Sequence, residues 1–281
     1  MHIHGKSLEL PLSHALPAYL DELPFYDTLP GRLSDYLYGK YGMLKCVDVG
    51  ANIGDSVAAF SRHESDMFLA IEPNPNFSCY LKQNFGASQN VRILETICSS
   101  SSLTGTYEIS EVSGTASITR TEKGSQMRAK TLDSILLDYP EFSDLNMLKI
   151  DTDGHDFEVI DGARKTIQNN HPALFFECEA FSDSHYVGKL LSTLNFLKEA
   201  GYSSFIMYDN HGYFIGSYPL GDFRPLKNLL FYQLTRTSFY FDLLVMKEED
   251  IVSFLVSEQS FFIQHMSDEA LRSTAVTTTL P

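Results

Sequence analysis

Basic residues, paired cysteines and long apolar runs are all scarce in this 281-residue chain, and each scarcity excludes something. Lysine and arginine number 21 against 36 acidic residues, a formal charge of −15. Nucleic-acid binders draw most of their affinity from basic side chains that displace counterions from phosphates, so DNA and RNA are poor partners for such a chain. No basic cluster with interleaved aromatics offsets this balance, and the acidity reads as a source of solubility. Cys46, Cys79, Cys98 and Cys178 are widely spaced, with no CxxC pair and no histidine at zinc-ligand spacing. They read as buried free thiols rather than a structural zinc site. Neither a membrane-length apolar span nor a charged-then-apolar leader is visible, so a membrane span is not expected and a reducing cytoplasm fits best.

What the chain does have is enough to fold. Hydrophobic residues make up 43% and charged residues 20%, the proportions of a globular protein. The length suits one large α/β domain with an appendage, or two small domains. Residues 1–43 mix aromatics and prolines without firm periodicity and predict an N-terminal helical cap. From Leu44 to Met246 short apolar runs alternate with helical patterns, the signature of βαβ units and a parallel sheet. Strands are expected at 44–49, 67–72, 91–96, 146–151, 173–178, 203–209 and 240–246, most of them apolar on both faces as helix-covered strands must be. Helices are expected at 55–62, 77–85, 132–137, 157–168 and 186–200. The Ser-, Thr- and Gly-rich stretch 99–130 predicts an inserted hairpin, a candidate lid over the site. Residues 247–281 predict one more helix and a frayed tail.

The segment "CVDVGANIGDS" is a strand that becomes small and glycine-bearing at Gly50 and Gly54, with a helix just beyond. Such a turn brings bare backbone and helix-end amides against a ligand. Glu72 ends the next strand 20 positions after Asn52, near the offset at which a carboxylate takes both hydroxyls of a ribose. Loop and acid together specify a nucleoside. A dinucleotide fingerprint requires G-x-G-x-x-G, whereas here D-x-G-x-N-x-G puts Asn52 where the glycine beside the pyrophosphate belongs. That bulk disfavours NAD or FAD and favours S-adenosylmethionine, which carries no phosphate. An NAD-dependent oxidoreductase and a non-catalytic relative that only binds S-adenosylmethionine are the alternatives.

The motifs "VDVGANIGDS", "IEPNP", "KTLDSIL", "LKIDTDGHDFEVIDGA" and "ALFFE" stand in the order, and at about the distances, found in the FkbM family of S-adenosylmethionine-dependent methyltransferases, which residues 44–180 resemble. The resemblance implies the class I methyltransferase fold, a Rossmann-like, seven-stranded, mostly parallel sheet with helices on both faces. It also implies O-methylation of a hydroxyl on a sugar, glycan precursor or natural product, a small-molecule or carbohydrate acceptor. Carried over, it puts Asp48, Gly50, Ala51, Asn52 and Gly54 around the methionine part and Glu72, Pro73 and Asn74 at the ribose. Cys98 and Ser99 would lie by the adenine, where the family more often has an "ALS"-like segment; a buried thiol at a strand end explains Cys98 equally well.

Methyl transfer from a sulfonium needs an aligned acceptor oxygen and a sink for its proton. Asp151, Asp153, His155 and Asp156 follow the fourth strand at the carboxyl edge where open parallel sheets bind ligands. Asp151, Asp153 and His155 are the catalytic candidates. Neighbouring carboxylates are expected to raise the His155 pKa and make it a competent base, while a role in choosing the acceptor is the equal alternative. Asp151 would steady the sulfonium or the acceptor hydroxyl. Asp156 doubles as a candidate helix cap, and Asp133 reads as a helix-start residue behind the cap Thr131. Glu177 ends the adjacent strand, and with Asp151 it is similar to the divalent-metal pair of catechol-type methyltransferases, so a divalent metal stays open with no ligand assigned.

Overall fold

The computed structural model describes residues 1–112, 114–122, 124–180, 184–236 and 239–279. Ser113, at the tip of the expected hairpin, and the last two residues of the expected tail lie outside them. A small hairpin of β1 (His2–Ile3) and β2 (Lys6–Ser7) leads into α1 (Leu16–Glu22) and α2 (Leu29–Tyr41). Then follow β3 (Lys45–Val49), α3 (Asp55–Phe60), β4 (Met67–Ile71), α4 (Pro75–Phe85) and β5 (Val91–Leu94). Strands β6 (Ile97–Cys98), β7 (Thr104–Val112), β8 (Thr115–Arg120) and β9 (Ser125–Lys130) come next, with α5 (Leu132–Ile135) behind them. The chain continues through β10 (Met147–Ile150), α6 (Asp156–Asp161), α7 (Arg164–Asn170), β11 (Ala173–Cys178) and α8 (Tyr186–Glu199). It ends with β12 (Ser204–Asp209), β13 (Phe214–Pro219), α9 (Arg224–Thr235), β14 (Phe241–Val245), α10 (Glu248–Gln264) and α11 (Glu269–Thr279).

One sheet has the order β13-β12-β14-β11-β10-β3-β4-β5. Strands β5, β4, β3, β10 and β11 are parallel, β14 runs antiparallel between β11 and β12, and β13 hairpins back along β12. This is the class I methyltransferase arrangement with one extra edge strand. Winding reverses between β3 and β10: the chain steps out to β4 and β5, then returns to build the other half. Their carboxyl ends therefore open a crevice at the switch point, where doubly wound sheets take ligands. Alternate residues enter opposite layers. Val47, Leu69, Leu148 and Leu174 join one core, and Cys46, Phe68, Met147 and Ala173 join the other, so both faces are buried as the apolar strand runs require.

Several expectations are corrected. The insertion is a sheet rather than a hairpin: β7 is flanked by β8 and β9, both antiparallel to it, and β6 extends β9 in parallel, closing over Ile97, Tyr107 and Ala129. The single helix expected at 157–168 is two, because Gly162 passes so close to Ser99 that a Cβ would stand 2.1 Å from its carbonyl oxygen. The Asp133 carboxylate starts the second of these helices, accepting from the Lys165 and Thr166 amides at 3.1 and 2.9 Å, while Thr131 caps α5. The expected frayed tail is α11 as far as Thr279, begun by Asp268, which accepts from the Ala270 and Leu271 amides. Cys79 is exposed, unlike the other three cysteines.

Helices α2 and α10, from opposite ends of the chain, are joined to each other. Arg32 of α2 donates from Nε and Nη2 to the two Glu258 oxygens of α10 at 2.6 and 2.8 Å, and the Tyr208 hydroxyl of β12 donates to Glu258 at 2.9 Å. Glu258 is fully buried. Among the described residues no helix is long and apolar enough to cross a membrane.

Candidate active site

The crevice depends on how closely the tips of β3 and β10 approach. Gly50 has φ +83°, and a Cβ there would lie 1.7 Å from the Asp151 carbonyl oxygen, so only glycine fits. Its amide and that of Ala51 donate to the Ile71 carbonyl at 2.9 and 3.1 Å, drawing the loop toward the tip of β4. Asn52 is left-handed (φ 48°), which turns its amide onto Glu72 Oε2 at 2.9 Å. Glu72 Oε1 accepts from the Asn74 amide at 2.7 Å, and the Asn74 side chain caps α4 through the Asn76 amide at 2.8 Å. Glu72 is only 5% exposed, and burial pushes its carboxyl up to about 7.

These residues line a cavity of about 320 Å³, within the range of small-molecule sites. Of the expected cofactor residues, Gly50, Asn52, Glu72, Pro73 and Asn74 are on its wall. Asp48 lies beneath, fully buried, accepting from Ser56 Oγ at 2.5 Å. Ala51 and Gly54 are buried in the turn, with Gly54 pressed against the Phe85 ring. Cys98 and Ser99 are away from the cavity: Cys98 packs in the core, where burial pushes its thiol up to about 12, and Ser99 contacts His155. The cavity's apolar surface comes instead from Phe77 and from Ile109 and Ile118 of the inserted sheet. That sheet is tied down by Asn52 Nδ2 to the Gly114 carbonyl at 2.7 Å, Asn74 Nδ2 to Glu111 at 2.8 Å, and the Ala116 amide to Asp153 at 3.1 Å.

Of the catalytic candidates, Asp151 and Asp153 line the cavity and His155 does not. Asp153, left-handed at φ 50°, is pushed up to about 7, first by burial and then by the charge of Asp151. The His155 ring turns to Ser99 Oγ at 3.2 Å, with Glu158 3.9 Å from its other nitrogen. Its pKa is lowered, opposite to expectation, because desolvation outweighs Glu158. Asp156 does not cap its own helix; its carboxylate accepts from the Thr152 amide and hydroxyl at 3.1 and 3.2 Å and pins the loop that carries Asp151.

Lys149 was missed by sequence reasoning. Its ammonium lies 3.2 Å from Asp48 and 3.4 Å from Asp151, with the side chain 9% exposed. The signal was present: a lysine inside "MLKI", a strand buried on both faces, needs buried partners. Lys149, Asp151, Tyr26 and Asp55 also line a second cavity of about 120 Å³, whose far wall holds Glu177 and Asp242. Among the described residues no group of three or more His, Cys, Asp or Glu is arranged to hold a metal, so the Asp151–Glu177 pair has no third ligand beside it.

Residues 48–204, more than half of the chain, match the family model of the methyltransferase FkbM domain. The chain belongs to that family. No curated protein matches it. Among solved structures it is similar to the methyltransferase FkbM of Methylobacillus flagellatus KT, at 16% identity over 67% of this chain and 54% of that one, with a TM-score of 0.41. Others are the precorrin-6y C5,15-methyltransferase of Geobacter metallireducens GS-15 (13%, 77% and 87%, 0.41) and a putative caffeoyl-CoA O-methyltransferase of Staphylococcus aureus (14%, 84% and 93%, 0.42). The chain spans about half the length of the first of these. Within this FkbM-family chain, the family match contains the Gly50 loop, Glu72, the inserted sheet and Lys149, but stops before Asp242 and all of α1 and α2 lie ahead of it. Tyr26 and Asp55 are further wall residues that the sequence gave no pattern to find, while Thr115 and Ala116, also on the wall, belong to the stretch expected as a lid.

Proposed function

We propose that the chain is an S-adenosylmethionine-dependent O-methyltransferase acting on a hydroxyl of a sugar, glycan precursor or natural product. The observation that carries this is Glu72: a buried carboxylate on the cavity wall, held from behind by two backbone amides, with lone pairs left for a ribose diol. Gly50 and Asn52 would border the methionine end, and Pro73 and Asn74 would border the ribose. Phe77, Ile109 and Ile118 offer flat apolar surface for the base, in place of Cys98 and Ser99. Bound S-adenosylmethionine supplies a methyl on a positively charged sulfur, and that sulfur keeps the electron pair of the breaking C–S bond as a thioether. The chain's own part is to hold the acceptor oxygen in line and take its proton.

Asp151 is the proton acceptor in this proposal, because it is half exposed, stands on the wall of both cavities and has the Lys149 ammonium beside it. Asp153 holds the inserted sheet through the Ala116 amide and orders the lid. His155, turned toward Ser99, supports the loop rather than the chemistry. The carboxylate-rich walls favour a small acceptor over a polyphosphate such as RNA or DNA.

Calorimetric titration with S-adenosylhomocysteine tests the reading. Wild-type protein is expected to bind it, and Glu72→Ala to lose about 100-fold in affinity, as two hydrogen bonds to a charged acceptor disappear. Absence of binding, equal affinity in the variant, or a larger thermal shift with NADH would overturn it.

A further inference from the structure

Glu177 and Asp242 are cross-strand partners in the β11–β14 pair, and Asp242 also pairs with Tyr208 on β12. Like charges directly opposite on a sheet repel, and partial burial adds to the cost. Elsewhere in the chain such carboxylates are answered: Asp48 and Asp151 share Lys149, Asp27 has His4, and Glu258 has Arg32 and Tyr208. Among the described residues no donor answers the carboxylates of Glu177 and Asp242, which open instead onto the second cavity. Both are held well above the ordinary carboxylate range by burial first and then by Asp151. The wall also carries the aromatic residues Phe25, Tyr26, Phe175 and Tyr240, while its one ammonium, Lys149, is engaged by Asp48 and Asp151. Aromatic faces and unanswered carboxylates have one ligand chemistry in common, an organic ammonium. Asp55 and Asp151 join this wall, but no three of these carboxylates are close enough to share a metal ion, so the charge is spread as an extended organic ligand requires.

We infer that the second cavity is the acceptor pocket and that it takes a hydroxylated molecule carrying a protonated amine, the ammonium seated between Glu177 and Asp242 and a hydroxyl directed to Asp151. This rests on the methyl-transfer reading for the identity of the first cavity. Tyr26, Asp55, Lys149 and Asp151 are common to both cavities, so an acceptor in the second reaches the first across Asp151. In the reaction the acceptor oxygen forms the bond to the methyl carbon, the hydroxyl proton passes to Asp151, and the C–S electron pair stays on sulfur. The ammonium orients the acceptor and is unchanged.

The test titrates protein saturated with S-adenosylhomocysteine with two matched pairs of probes, glucosamine against glucose and serinol against glycerol. At neutral pH at least one amine is expected to bind about tenfold or more tightly than its neutral counterpart, the scale of a charge-assisted hydrogen bond. The preference is expected to vanish in Glu177→Gln/Asp242→Asn while S-adenosylhomocysteine still binds, which also shows that the variant is folded. Equal binding of amine and neutral probes, no binding of either amine, or a preference that survives the double substitution would overturn the inference. If S-adenosylhomocysteine fails to bind but the amine preference is present and lost in the variant, the methyl-transfer reading falls and the ammonium site stands.

Discussion

The two cavities meet at Asp151 and treat a wall carboxylate in opposite ways. In the first, Glu72 receives the Asn52 and Asn74 amides, donors fixed by the backbone before any ligand arrives. In the second, Glu177 and Asp242 receive nothing from the described residues. A carboxylate held by amides is already aimed, and presents its remaining lone pairs in one direction. An unanswered pair is a demand for charge, and whatever enters must bring it. The first cavity is thus shaped for a fixed hydroxyl pattern and the second is selective for sign.

The comparison is broken most severely at the shared wall. Gly50→Ala forces a Cβ onto the Asp151 carbonyl at a positive φ, and is expected to cost more than about 3 kcal/mol in urea unfolding. An unchanged midpoint would show that the loop and Asp151 are not locked together. A smaller effect of opposite sign is expected in the second cavity. Asp242→Asn removes one of two facing acids that no described donor answers and should stabilise the ligand-free protein in alkaline buffer by about 1–2 kcal/mol, measured by the same method. Destabilisation there would mean that the carboxylate has a structural partner.

Both cavities contribute to a pH dependence that sharpens the contrast. Glu72, Asp55, Asp153 and Asp156 are pushed up to about 7, so folding takes up protons and the stabilisation present at lower pH is lost as pH rises through 7. His14 and His155, with lowered values, are already neutral there. The ligand-free thermal midpoint is expected to fall by a few degrees from pH 6.5 to 8, and saturating amine to reduce that fall more than saturating S-adenosylhomocysteine does. A flat profile would contradict these assignments. The smallest effect is expected at Glu111→Ala, which frees Asn74 and Asn76 from the inserted sheet and should weaken S-adenosylhomocysteine by less than about tenfold, with no change in amine preference.

The first cavity was far more legible than the second. A strand that ends in glycine, and an acid at the next strand end, are local patterns with local causes, and Gly50, Asn52 and Glu72 lie together on one wall. All seven expected strands are present in the main sheet, because strands covered on both faces read as apolar runs that a single charged residue such as Lys149 does not blur. What failed was what packing decides. The extra strand β13 and helix α9 are half-buried and gave weak periodicity, although Asp222 and Pro225 mark the start of α9. His155 looked well placed for catalysis in the sequence, yet one helical turn of context aims it at Ser99. Asp242 and Glu177 are 65 positions apart and became neighbours only because β14 inserts antiparallel beside β11.

The Glu258 clasp reaches beyond the family-matched segment. With its carboxylate answering Arg32 and Tyr208 at once, cutting the chain after β14 leaves a guanidinium and a phenol stranded in the interior. A polypeptide cut there would therefore be expected to precipitate, and anyone expressing this enzyme needs the helix that carries Glu258.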